Sequence, residues 1–115
     1  MTPSVNPDHE QTILYESQKG FVVYCYCCKT FHIAYGTVAL DLTETSLLSL
    51  INVLVAYYQD YKDKVDPRCR CIQVLTPFNG IRLLFSLPEL KELANILSEA
   101  HLILNSERIV NSIPQ

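Results

Sequence analysis

Five cysteines fall in two clusters, Cys25-Tyr26-Cys27-Cys28 and Cys69-Arg70-Cys71. The first holds a C-x-x-C pair, the spacing with which a tight turn aims two thiolates at one tetrahedral zinc ion. A closed site needs four ligands. Cys69 and Cys71 are the candidates to complete it, because alternate residues of a strand point to one face, with Cys27 or His32 as substitutes. Two features stand against zinc: the second pair is C-x-C, and no glycine follows Cys28 to ease the turn. Cysteines in strands are most often small buried hydrophobes. Buried thiols, with no cofactor, are therefore the first reading, and a structural zinc on Cys25, Cys28, Cys69 and Cys71 is the second.

Other chemistries find less support. Redox use of C-x-x-C needs the first cysteine at a helix N-terminus, and the residues after Cys28 are strand-like. Arg68 and Arg70 flank Cys69 and could hold a thiolate there, although solvated charges at a strand edge are the ordinary explanation. His9, His32 and His101 are far apart, and His101 falls in an apolar helical stripe, as a satisfied core histidine would. There is no Ser/His/Asp motif, no phosphate-cradling loop and no H-E-x-x-H, and only three glycines to build such loops. The expectation is a protein that is not an enzyme.

The formal charge is −3 and the basic residues are scattered, which disfavours nucleic acid. The run from Leu47 to Tyr58 is too short to span a bilayer, and the first eleven residues lack the pattern of a signal peptide. A cytoplasmic protein with no membrane partner is expected, in a compartment that keeps thiols reduced.

The elements that must position these residues follow from periodicity and turn signals. Residues 1–10 read as a disordered polar tail, 11–106 as one domain and 107–115 as a C-terminal tail. Thr12 to Tyr15 is a short strand; Phe21 to Tyr26 and Phe31 to Tyr35 are aromatic and β-branched strands around a turn at Cys27 to Thr30. Gly36 marks a bulge or tight bend before Val38 to Leu42. Thr43 caps a helix expected to reach about Lys64. Cys69 to Leu75 and Ile81 to Phe85 form a hairpin about Asn79-Gly80. Ser86-Leu87-Pro88-Glu89 has the spacing of a capping box, opening a second helix to about Ser106.

The fold class is α+β: an antiparallel sheet with two helices packed on one face, in the order (β)ββαββα. Superposing Thr43 on Ser86 aligns Cys28 with Cys71 and Leu47, Leu50, Val53, Leu54 with Leu90, Leu93, Ile96, Leu97. A duplicated ββα unit is one explanation; the shared pattern of any two hairpin–helix units is the other. Apolar residues of the first helix fill an arc of roughly 220°, too wide for one face. Tyr57, Tyr58 and Tyr61 sit near its end. Self-association into a homo-oligomer is expected from that arc, the alternative being that the rest of the chain covers it. No small-molecule ligand is implied.

The C-x-x-C pair followed by Phe31-His32-Ile33-Ala34-Tyr35-Gly36-Thr37-Val38-Ala39-Leu40-Asp41-Leu42, a long helix, and Phe85-Ser86-Leu87-Pro88-Glu89-Leu90 resembles a family of small uncharacterised bacterial proteins. The resemblance implies a small α+β domain and assigns no residue a role.

Overall fold

The computed structural model describes residues 11–75 and 80–112. The expected polar tail 1–10, the residues after Ser112 and Asn79 of the expected turn lie outside them. Eight elements follow in order: β1 (Gln11–Ser17), β2 (Gly20–Cys25), β3 (Thr30–Tyr35), β4 (Val38–Leu42), α1 (Glu44–Tyr61), β5 (Ile72–Leu75), β6 (Arg82–Phe85) and α2 (Leu87–Ser112). The fold is α+β, as expected. Strands β1 to β4 form an antiparallel meander, while β5 and β6 pair with each other, among the described residues, as a second, two-stranded sheet.

The turns explain the registers. Ser17 pairs with Gly20 and Tyr35 with Val38, so two-residue loops close both hairpins at one end of the sheet. Gly36, with φ of +59°, is the tight bend of the second loop, at the first central position where II′ turns take glycine. At the other end Cys25 pairs with Thr30 around a four-residue turn. A bulge between Ile13 and Tyr15 lets both Leu14 and Tyr15 meet the core.

Alternation places Val22, Tyr24, Phe31, Ile33 and Tyr35 on one face, where they join Leu47 and Leu54 of α1 and Leu90, Leu97, Ala100 and Leu104 of α2 in one cluster. The helices run antiparallel, since Glu44 at the start of α1 meets Arg108 late in α2 and Lys91 early in α2 lies over the Tyr58 ring late in α1.

Local signals set the helix starts. Thr43 Oγ1 accepts the Ser46 backbone N–H at 3.3 Å. The Ser86 N–H donates to Glu89 Oε1 at 2.9 Å while the Glu89 N–H donates to Ser86 Oγ at 3.4 Å, the reciprocal capping box. Three boundaries differ from expectation. Helix α1 ends at Tyr61, where a tight turn takes over and the Lys64 N–H reaches the Tyr61 carbonyl. Strand β5 starts at Ile72, not Cys69, because its partner Phe85 is the last residue before the Ser86 cap and nothing remains to pair with Cys69 to Cys71. Helix α2 continues through the expected tail at Glu107 to Ser112, since no glycine or proline interrupts it.

Gly20 is required by close approach: a Cβ there would stand 1.9 Å from the Ala34 carbonyl oxygen in the neighbouring strand. Gly20→Ala is expected to lower stability by roughly 2–3 kcal/mol, the range of overpacking, read from urea unfolding midpoints.

Candidate functional site

The C-x-x-C turn spans residues 26–29 at the end of the β2–β3 hairpin. Cys25, the last residue of β2, is buried, whereas Cys27 and Cys28 are exposed. The Cys28 backbone N–H donates to Cys25 Sγ at 3.4 Å. That bond draws the Cys25 thiol below its usual range, against burial, which pushes the other way; the Cys28 thiol and the Cys27 N–H add to the lowering. The Cys28 thiol is raised, chiefly by its hydrogen bond with Cys25. Lys29 closes the turn at φ of 55°, the left-handed position that glycine would fill without strain.

The second cysteine pair lies elsewhere. Cys69 and Cys71 are exposed in the loop before β5, with the Cys71 thiol 3.9 Å from the Cys69 carbonyl. Arg70 between them makes two 2.9 Å bonds to Glu89 in the first turn of α2. Glu89 in turn lines an open cleft with Gln18, Lys19, Tyr35 and Gly36. This is the far end of β3 from Thr30, about 20 Å away for six extended residues. The structure thus brings Cys25 to Cys28 and Cys69 to Cys71, and separates the two pairs. Among the described residues no group of three or more metal-ligating side chains forms. Of the proposed substitutes, Cys27 is in the turn, and His32 is engaged by Asp41, Nδ1 to Oδ1 at 2.7 Å. Burial as the role of the thiols holds for Cys25 and is corrected for the other four, which are exposed in turns and loops.

The open cleft, about 500 Å³, is a poor catalytic candidate because its charges serve each other. Glu92 accepts from Lys19 at 2.9 Å and from the Tyr35 hydroxyl at 2.7 Å. Burial, helped by Glu92, pushes the Tyr35 phenol well above its ordinary range.

The feature that sequence reading missed is the C-terminal half of α2. In a helix that rests on a core, apolar residues point in and polar ones out. Here, beside the buried Ala100 and Leu104, polar residues also turn inward and four aliphatic ones turn outward. His101 Nε2 lies 2.8 Å from Glu44 Oε2, and Arg108 donates to the same oxygen at 2.7 Å and to Asn105 Oδ1 at 3.3 Å. Arg108 also sits over the Tyr24 ring, and Glu107 accepts the Tyr26 hydroxyl at 2.9 Å. Meanwhile Leu102, Ile103, Ile109 and Val110 are 66%, 43%, 63% and 65% exposed. His101 is thus satisfied as expected, although by a carboxylate. The signal was present in the phase of Leu102, Ile103, Ile109 and Val110 against Leu90, Leu97 and Leu104, hidden by ending the helix too early.

The Tyr26–Glu107 bond ties the cysteine turn to this part of α2. The chain matches a family of unknown function, DUF6686, over residues 8–112. It belongs to that family. The match bears out the resemblance read from the strand and cap motifs, as to an uncharacterised domain. No curated protein and no solved structure matches the chain. Among the described residues no helix is long and apolar enough to cross a membrane.

Two outcomes follow. Lys29→Gly removes a left-handed non-glycine residue and is expected to stabilise by roughly 0.5–1 kcal/mol in urea unfolding. Arg108 and then His101 hold the Glu44 carboxyl below its usual range, and Tyr35 and then Lys19 do so for Glu92. Carboxyls depressed in the folded state contribute stability that is complete above the unfolded value of about 4.3 and is lost as pH falls through the folded values. The unfolding midpoint should be flat from about pH 7 to 5 and fall below about pH 4, with Glu44→Gln and Glu92→Gln each flattening the acid limb.

Proposed function

We propose that this domain is a non-enzymatic, cytoplasmic interaction module that self-associates through the outer face of α2. The observation that carries the reading is the reversed end of that helix, with its charges turned toward its own chain and four aliphatic side chains turned to water. Singly exposed apolar residues are ordinary, but a contiguous helical patch marks an interaction surface. The wide arc of α1 is a weaker candidate than the sequence suggested. Leu50, Ile51, Tyr57 and Tyr58 pack against the core, and Leu48, Val53, Val55 and Tyr61 are only 37–44% exposed.

A second copy is the occupant that the patch suits. Ser106 stands roughly 180° from Leu97 on the helix, at the centre of the patch. About Ser106 an antiparallel copy sets Leu102 against Val110 and Ile103 against Ile109, the self-complementary pairing of a two-fold interface. The one polar residue at that centre is inexpensive to bury, because its hydroxyl already donates to the Leu102 carbonyl at 3.0 Å. Thiols that stand unbridged at the surface, such as Cys27 and Cys71, fit a reducing compartment.

The test is sedimentation velocity over a wide concentration range. A reversible dimer is expected, weakened roughly 100-fold or more by Ile109→Asp, since each substitution acts twice and each aliphatic burial is worth about 1.5–3 kcal/mol. Leu48→Asp on α1 should leave it unchanged. A strict monomer at high concentration, or a dimer indifferent to Ile109→Asp, would overturn the reading, and binding of the monomer to lipid vesicles would assign the patch to a membrane surface instead.

A further inference from the structure

We propose that Cys69 and Cys71 form a reversible disulfide on the surface of the domain, made by thiol–disulfide exchange with an anionic low-molecular-weight disulfide. The site stands apart from the self-association face and needs nothing from it.

The loop before β5 holds both thiols in water and together. The Cys69 N–H donates to the Asp66 carbonyl at 2.9 Å and the Arg68 N–H to Asp66 Oδ1 at 2.8 Å, so a turn fixes the approach to the pair. Arg70, between the two cysteines, is turned to α2 and held by its two bonds to Glu89. Both thiols are exposed. They also meet each other, since a hydrogen bond with the Cys71 thiol is the first cause that pushes the Cys69 thiol above its usual range.

The start of β5 at Ile72 is what makes a bond between them possible. In a strand, residues two apart stand about 6.6 Å from each other with parallel side chains, whereas a disulfide needs β-carbons about 3.5–4.5 Å apart. Cys69 and Cys71 precede the ladder, so the chain between them can bend to that distance. A bridge across one residue is strained, and strained, exposed disulfides are the labile ones that small thiols reduce again. The reduced pair is then the resting state in a reducing compartment.

The surroundings select the charge of the reagent. Between Lys62 and Cys71 four basic residues stand against two acidic ones, in a chain whose formal charge is −3. This local excess draws an anionic disulfide to the loop. One thiolate of the pair attacks a sulfur of that disulfide, which forms a mixed disulfide and releases one small thiolate. The other cysteine gives up its proton and attacks the protein sulfur, releasing the second small thiolate. Two protein thiols are oxidised, one small disulfide is reduced to two small thiols, and these take up the two protons.

The experiment equilibrates the full chain with oxidised and reduced glutathione, quenches in acid, alkylates the remaining thiols and cleaves after lysine. Residues 65–91 then form one peptide whose only cysteines are Cys69 and Cys71. On oxidation it is expected to lose two hydrogens and escape alkylation, and to regain both thiols when reduced glutathione is added. Cys69→Ser and Cys71→Ser should each hold one glutathione on the remaining thiol instead. The equilibrium constant for closing the bridge should be at least tenfold higher in the folded protein than in concentrated urea, because the fold already holds the thiols together. Closure should also slow as salt is raised. A peptide that stays reduced, one that carries two glutathiones, or a closing constant no higher in the folded protein overturns the site. A rate indifferent to salt overturns the anionic reagent.

Discussion

A mismatch of length governs this molecule. The strands of the main sheet are five to seven residues long, which at 3.3 Å per residue gives a sheet about 20 Å deep. Helix α2 has 26 residues and α1 has 18, or about 39 and 27 Å at 1.5 Å per residue. Leu90, Leu97 and Leu104, all fully buried at seven-residue spacing, mark the part of α2 that the sheet and α1 enclose. Past Leu104 the helix has little hydrophobic cover left to find. It continues nonetheless, held by Arg108 and Glu107 through polar contacts to Glu44, Tyr24 and Tyr26.

The parts of the fold that were legible in the sequence are those set by neighbouring residues. Thr43 and the Ser86/Glu89 box announced both helix starts, because a cap is a bond between residues three apart. Gly36 announced the β3–β4 turn because a left-handed φ suits glycine. What was not legible depended on residues far along the chain. The start of β5 is set by where β6 ends, since Ile72 pairs with Phe85 thirteen residues further on, and it is invisible in the composition of Cys69 to Leu75. The end of α2 has no stop signal before Pro114. The C-x-x-C and C-x-C pairs lie at opposite ends of β3, a separation that no local spacing reveals.

The candidate site was half visible for the same reason. A knuckle is local, so its Cys25 and Cys28 could be named from spacing alone, and the turn forms with the N–H to sulfur bond that such spacing implies. Completion of a site is global. The absence of a glycine after Cys28 looked like an argument against a knuckle, yet Lys29 adopts the required left-handed conformation. The strain in one residue, roughly 1–2 kcal/mol, is small beside the ladder pairing of the two strands it joins.

The outward aliphatic residues of α2 have no counterpart among the described residues. Turning a guanidinium, an imidazole and two carboxylates inward removes them in part from water, and a paired set of buried charges is seldom more stable than a packed apolar substitute. Turning four aliphatic side chains outward forgoes about 1.5–3 kcal/mol for each one that could have been buried. Exchanging the two sets would relieve both penalties at once while keeping the helix. A surface on which both unfavourable choices coincide, over three turns of one helix, is explained when a second apolar surface covers it. The inward charges keep α2 in register on its own chain, and under the proposed self-association the aliphatic residues would specify the contact with the next.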